Sequence, residues 1–286
     1  MAFLDHIRAC NRHDPSQYLT FSINGITVGR VLQGFAERLR DWPDHFSLRE
    51  GRLELSLPDD RFEERSERFS ALLAELDDHN LISHLHGEQY VATPGGLNDG
   101  VVLIDRAAAP YFGTRAFGQH LNGYVRDADG IRMWVGKRAS DRRVFPGHLD
   151  NLAAGGLPYG IDLHKNIAKE CWEEAGIPAE MAAQAVPVGA LTYNADSSKG
   201  FKPDTLYCYD LELPAGFQPS CTDGEVEAFY LMPVEEVMEL VRDSDRFKLN
   251  CNLVVIDFLI RHGYLTPEEP DYLAIVEGLH PPLLPL

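Results

Sequence analysis

The chain has 286 residues, of which 44% are hydrophobic and 24% charged, with a net charge of -18 and a pI near 4.9. Such a composition builds a globular protein of one large or two small domains. The acidity repels nucleic acid and anionic membranes, and no apolar run approaches the ~20 residues a membrane helix needs.

The N-terminus, MAFLDHIRAC, has no basic start followed by a long apolar stretch, so no secretory signal is expected. Cys10, Cys171, Cys208, Cys221 and Cys251 are scattered and form no CxxC pair. Neither a zinc site nor a disulfide framework is expected, and a reducing cytoplasm is the expected setting.

Taken in chain order, Phe21 to Val28 alternates as a strand, and Val31 to Leu39 has helical spacing. Phe46 to Leu57 reads as a hairpin turning at Glu50-Gly51. Phe62 to Leu76 is predicted as an amphipathic helix, with Phe62, Phe69, Leu72, Leu73 and Leu76 in one core stripe. Short strands are expected at Glu88 to Val91 and Val101 to Ile104. The character changes near Phe117, where HLNGYVR, DADG and IRMWVGKR give strand, turn, strand. A Gly-rich loop and a charged helix follow, then strands at Ala185 to Thr192 and Thr205 to Leu213. Pro233 suits the first turn of a helix running through Leu240. Phe247 to Arg261 is a further helix ended by Gly263, and the proline-rich end reads as an extended tail. The domain boundary is placed near residue 117: residues 1–117 as an α+β domain, 118–286 as the second domain with its C-terminal helices and tail.

The segment GGLPYGIDLHKNIAKECWEEAGI, Gly155 to Ile177, carries the chemistry. Asp162 can cap a helix that runs to about Ala175 and stops at Gly176 and Pro178. Glu170, Glu173 and Glu174 stand at i, i+3 and i+4, on one face. Three carboxylates on one turn repel each other unless a cation lies between them. Hard oxygen ligands at this density suit Mg2+ or Mn2+. Ile167, Ala168, Cys171, Trp172 and Ala175 form the inward side. Alone, such a cluster is a common solvated helix face; the glycine-proline stretch before it and Gly176-Ile177 after it set it apart.

With that spacing the segment resembles the Nudix box: glycine, five residues, glutamate, seven residues, arginine-glutamate, an apolar residue, any residue, two glutamates, any residue, glycine, an apolar residue. Gly155 takes the first position, and Lys169-Glu170-Cys171-Trp172-Glu173-Glu174-Ala175-Gly176-Ile177 the tail. Ile161 replaces the first glutamate, and Lys169 replaces the arginine with a point charge that lacks its bidentate fork. HLNGYVR, WVGKR, FPGHLDNLAAGGLPYGI and YDLELP resemble the Nudix subgroup fused to fungal thiamine pyrophosphokinases and its stand-alone plant and bacterial relatives. FEERSERFSALLAELDDHNLI and DRAAAPYFG extend that resemblance over nearly the whole chain.

The resemblance implies an α/β/α Nudix sandwich with a mixed sheet, preceded by a small α+β domain that shapes substrate choice. It implies a metal-dependent pyrophosphohydrolase acting on thiamine diphosphate or its oxo and oxy forms. Glu170, Glu173 and Glu174 would hold the metal, with Glu173 and Glu174 catalytic, and Gly155 and Gly156 would bind substrate together with Lys137, Arg138, His120 and Asn122. Lys137, Arg138, Arg142 and Arg143 form a basic patch before the box; in a regular strand Lys137 and Arg138 face opposite ways. Glu225 and Glu227 would share a side, and Glu225 is preferred as the further ligand or base. His120 and Asn122 would line the site on one strand face. Tyr193, Tyr207 and Tyr209 fit a core or, less simply, a stacking surface. Other readings stay open: another diphosphate such as ADP-ribose or NADH, diphosphate binding without hydrolysis because Ile161 breaks the pattern, or allylic diphosphate isomerisation.

Overall fold

A computed structural model describes residues 2–282. After helix α1 (Phe3–Cys10), the N-terminal part builds a four-stranded sheet. Its strands are β1 (Tyr18–Ile23), β2 (Ile26–Leu32), β3 (Phe46–Arg49) and β4 (Arg52–Leu55), in the order β2-β1-β4-β3. Helix α2 (Gln33–Arg38) follows β2, and α3 (Phe62–Asp78) follows β4. The antiparallel pair β5 (Gln89–Ala92) and β6 (Val102–Asp105), with the short α4 (Ala109–Phe112), completes this part.

The hairpin at Glu50-Gly51 and the stripe of α3 appear as expected, with Phe69, Leu72, Leu73 and Leu76 buried among Phe21, Leu53 and Phe112. Three expectations change. Phe21 to Val28 is two strands, because Asn24 and Gly25 adopt φ of +49° and +79° and reverse the chain; Asn-Gly is the dipeptide that tolerates this tight turn. The helix expected from Val31 starts at Gln33, since Val31 and Leu32 pair with β1. Phe62 stands outside the stripe, half-buried, its ring 5.6 Å from Tyr159 of the second domain.

The second domain is a mixed sheet between helices. β7 (Phe117–Asp127) and β8 (Gly130–Arg138) form the expected meander. The short strands β9 (Leu149–Asp150) and β10 (Ala153–Gly156) attach to β8 and β7. Then come α5 (Leu163–Ala175), α6 (Ala179–Ala182), β11 (Val186–Ser197), β12 (Gly200–Glu212), β13 (Val226–Pro233), α7 (Val234–Asp243), α8 (Leu249–Arg261) and α9 (Tyr272–Gly278). The main order is β11-β12-β7-β8-β13, with β12 parallel to β7 and its other neighbours antiparallel. One face packs on α5 through Leu121, Ile167, Cys171 and Tyr209; the other packs on α7 and α8 through Met133, Leu206, Val237 and Leu253. This is the expected α/β/α sandwich behind a separate α+β unit.

Gly155 and Gly156 correct an expectation, because they are not a loop: they form the end of β10, paired with Gln119 and Gly118 of β7. Their glycine content reflects close approach of neighbours, described below, and not a turn. The tail expected at the end is preceded by α9, and residues 283–286 lie outside the described residues.

The two parts are joined tightly. Phe3, Leu4, Ile7 and Cys10 of α1 sit in the same core as α8 and α9, on the far side of the boundary expected near residue 117. The Tyr18 hydroxyl donates to Asp196 at 2.6 Å, and the Tyr159 amide donates to the Gln89 carbonyl at 2.7 Å. At Gly200 (φ +143°) a Cβ would lie 2.4 Å from the Pro110 carbonyl, so α4 rests on the bare backbone of β12. Burying each large side chain of α1 contributes about 1.5–3 kcal/mol. Deleting residues 1–110 is therefore expected to give insoluble protein, or protein with altered substrate preference. Soluble yield, thermal melting and a diphosphate panel check this; a soluble fragment with unchanged preference would contradict it.

Candidate active site

Helix α5 is placed by its ends and its apolar side. The Asp162 side chain accepts from the Lys165 amide at 2.8 Å, and Gly176 closes the helix in the left-handed region at φ +63°. Ile167, Cys171 and Ala175 are buried, and Trp172 stays 55% exposed. This aims the glutamates at β10. Glu174 is buried and accepts from the Ala154 amide at 2.7 Å. The Glu170 carboxylate lies against Gly155, where a Cβ would come within 2.2 Å of Glu170 Cδ. Glu173 is more exposed, and Lys169 Nζ bridges it (2.7 Å) to Glu170 (3.2 Å).

Burial pushes the Glu174 carboxyl well above the usual range, and the nearby Asp150 charge adds to this. Burial raises Glu170 too, against the pull of Lys169, with Glu173 and Glu225 contributing repulsion. Among the described residues Glu174 has no ion pair. A set of hard oxygen donors whose charges are incompletely neutralised fits an oxygen-preferring divalent cation.

A cleft of about 710 Å3 opens along β10; Glu170, Glu173 and Glu174 stand behind that strand and are not among the cleft's lining residues. Of the residues expected at the site, Gly155, Gly156, His120, Arg138 and Glu225 line it. Arg142 also lines it and holds Glu225 at 2.8 Å. Lys137 turns away, pairing with Glu227 at 2.6 Å. The two glutamates expected on one side part company because the register slips between Val226 and Ala228. Asn122 does not line the cleft: it is buried beneath it, donating to Asp210 at 3.1 Å and accepting from Asn151 at 3.0 Å. Tyr193 lines the cleft. Tyr207 and Tyr209 point elsewhere: Tyr207 stacks on Phe117 at 6.1 Å, and the Tyr209 hydroxyl accepts from Gln119.

Under the cleft floor lies a buried network that the sequence did not announce. Asp150 takes Arg138 at 2.8 Å, Lys248 at 3.2 Å and the Cys251 thiol at 2.7 Å. Burial opposes its charge, but Lys248 and the other neighbours outweigh this and hold its pKa at about 2. His120 bonds Asn151 at 2.8 Å, and burial holds it down at about 4, so it is neutral at pH 7. Donor atoms of His120, Asp150 and Cys251 lie within 4.8 Å of one another. Two cations already share the one carboxylate, however, and they would repel a third. The trio is better explained as a hydrogen-bonded support for Arg138 and Lys248.

The roof comes from the N-terminal domain, through Tyr90 and Arg106. The Tyr90 hydroxyl sits where a Cβ on Gly156 would lie, 2.1 Å away, and Arg106 stands over the Tyr90 ring, paired with Glu88 at 2.8 Å. Both are close enough to Glu170 to feel its charge.

Residues 119–251 match the NUDIX domain, and residues 2–116 match a domain of unknown function, DUF4743. The chain is 40% identical over 282 residues to Nudix hydrolase 24, chloroplastic, of Arabidopsis thaliana, covering 97% of this chain and 77% of the relative. It is 39% identical to Nudix hydrolase 20, chloroplastic, of the same plant, with the same coverage, and 34% identical to YJR142W of Saccharomyces cerevisiae, covering 92% and 83%. Among solved structures, DR0079 of Deinococcus radiodurans aligns at a TM-score of 0.45 with 18% identity, covering 59% of this chain and 98% of that one. With the box glutamates gathered on one helix beside the glycine strand, and Nudix hydrolases matching nearly the whole of this chain, the chain belongs to the Nudix hydrolase family and is a pyrophosphohydrolase.

Proposed function

We propose that the protein hydrolyses the diphosphate bond of thiamine diphosphate or its damaged oxo and oxy forms, giving the monophosphate and inorganic phosphate. The observation that supports this is the make-up of one cleft. It joins the box strand and a set of cations (Arg106, Arg138, Arg142 and Lys248) to aromatic side chains (Tyr90, Phe117, Tyr193 and Phe201). A ring carrying a diphosphate tail matches that pairing of chemistries.

In this reading Glu170, Glu173 and Glu174 hold a Mg2+ or Mn2+ ion. When bound, such an ion neutralises phosphate oxygens and lowers the pKa of water. Glu225, kept in place by Arg142, takes the proton of the attacking water. Water oxygen bonds to one phosphorus, the bond from that phosphorus to the bridging oxygen breaks, and two phosphate products leave. Arg138 and Lys248, fixed from below by Asp150, present positive charge to the diphosphate. The five cysteines are free, four of them buried, which fits a reducing compartment such as the cytoplasm.

A substrate panel tests the assignment: thiamine diphosphate, its oxo and oxy analogues, ADP-ribose, NADH and nucleoside diphosphates at equal concentration. The thiamine compounds are expected to rank first in kcat/KM. A tenfold advantage for ADP-ribose or NADH, about 1.4 kcal/mol in transition-state binding, would end the thiamine reading and leave the family assignment intact.

A further inference from the structure

Away from the box, the cleft wall carries an ion pair of Asp204 and Lys202. Asp204, on β12, lines the cleft with its side chain only 11% exposed. Its Oδ2 takes both polar contacts: the Tyr193 hydroxyl donates at 2.7 Å, and Lys202 Nζ stands 3.2 Å away. Among the described residues nothing donates to Oδ1. Oδ1 is not one of the buried atoms left without a partner, so it opens to the cleft, where a carboxylate oxygen can accept from a ligand's donor.

Strand register gives the reach. Thr205 of β12 is level with Phe117 of β7, and Gly118 of β7 is level with Gly156 of β10. Asp204 thus stands two strands across and two or three residues along from the Gly155-Gly156 edge. At the usual strand and residue spacings this is roughly 12–14 Å between Cα atoms, a span that a small diphosphate with a ring at its far end can bridge.

We propose that Asp204 selects the head of the substrate, its Oδ1 accepting an N–H from an amino-substituted, uncharged heteroaromatic ring. This rests on the reading above that the box end of the cleft takes the diphosphate. Lys202 decides between head chemistries. An ammonium 3.2 Å from the same carboxylate repels a cationic ring but leaves a hydrogen bond to a neutral amine undisturbed. For thiamine diphosphate, this places the aminopyrimidine rather than the thiazolium at Asp204.

The test is Asp204→Asn, assayed with an amino/oxo pair: thiamine diphosphate against oxythiamine diphosphate, in which an oxo group replaces the amine. Asparagine keeps the shape and can donate to the oxo group. The ratio of kcat/KM, amino over oxo, is expected to fall at least tenfold relative to the unmodified protein; a smaller change in a folded variant overturns the proposal. Should Asp204→Asn fail to melt cooperatively, Asp204→Ser carries the same expectation and the same tenfold threshold. If the unmodified protein cleaves ADP-ribose but neither thiamine compound, the thiamine reading alone falls. ADP-ribose and its hypoxanthine analogue then supply the amino/oxo pair, under the same tenfold criterion.

Discussion

Replacing Glu174 by glutamine is expected to lower kcat by about 10²-fold or more, some 2.7 kcal/mol in barrier, without unfolding the protein. The amide oxygen can still accept from the Ala154 amide, so the tie between α5 and β10 survives. What disappears is a buried negative charge aimed at the box strand. The same change frees the fold of a burden. A carboxylate whose folded pKa lies above its unfolded one destabilises the native state increasingly as pH rises past the unfolded value. At pH 7, without divalent ion, the variant should therefore melt at or above the temperature of the unmodified protein. Glu173→Gln should lose turnover on the same scale. Glu170→Gln should also lower turnover; Lys169 pairs with both Glu170 and Glu173, so its charge does not rank the two. Near-normal turnover in Glu173→Gln or Glu174→Gln would mark that side chain as mere surface or packing.

Removal of divalent ions should have the largest effect of all. In excess EDTA, turnover is expected to drop by about 10³-fold or more, since the ion's contribution to such chemistry is several kcal/mol. Mg2+ or Mn2+ should restore it. A second readout is independent of turnover. A ligand that binds only the folded state stabilises it by about 2.7 kcal/mol at a hundred times its Kd. Titrating Mg2+ should raise the melting temperature of the unmodified protein and leave that of Glu174→Gln nearly still. Full activity in excess EDTA would sink the metal assignment.

The parts of the site that lie close in sequence were readable, and the parts that converge from afar were not. Glu170, Glu173 and Glu174 are fixed by helical spacing, and Asp162 and Gly176 mark the helix ends by their own chemistry, so local pattern sufficed. Lys248 meets Asp150 only because α8 crosses under the sheet, and Tyr90 meets Gly156 only because two domains dock. No spacing records such meetings. Gly155 and Gly156 misled for a related reason. Glycine suits both a turn and a strand whose neighbours leave no room for Cβ, and only the positions of Glu170 and Tyr90 separate the two cases. The turn at Asn24-Gly25 was different: its signal was in the sequence, but the apolar alternation around it masked the break. Asn122 failed because same-face residues on one strand need not reach the same opening. His120 sits at the cleft, while Asn122, two residues further on, meets Asp210 and Asn151.

The docking of α1 against α8 also bears on how the chain is made. On the ribosome, Phe3, Leu4 and Ile7 emerge long before Leu253 and Val254 of α8, which share their core. At a synthesis rate of about 5–20 residues per second, the delay is roughly 10–50 s. Throughout that interval an apolar helix face has no native partner, while the sheet between β1 and β4 can already close upon itself. The nascent chain therefore carries an uncovered apolar helix face beside a sheet that can already form.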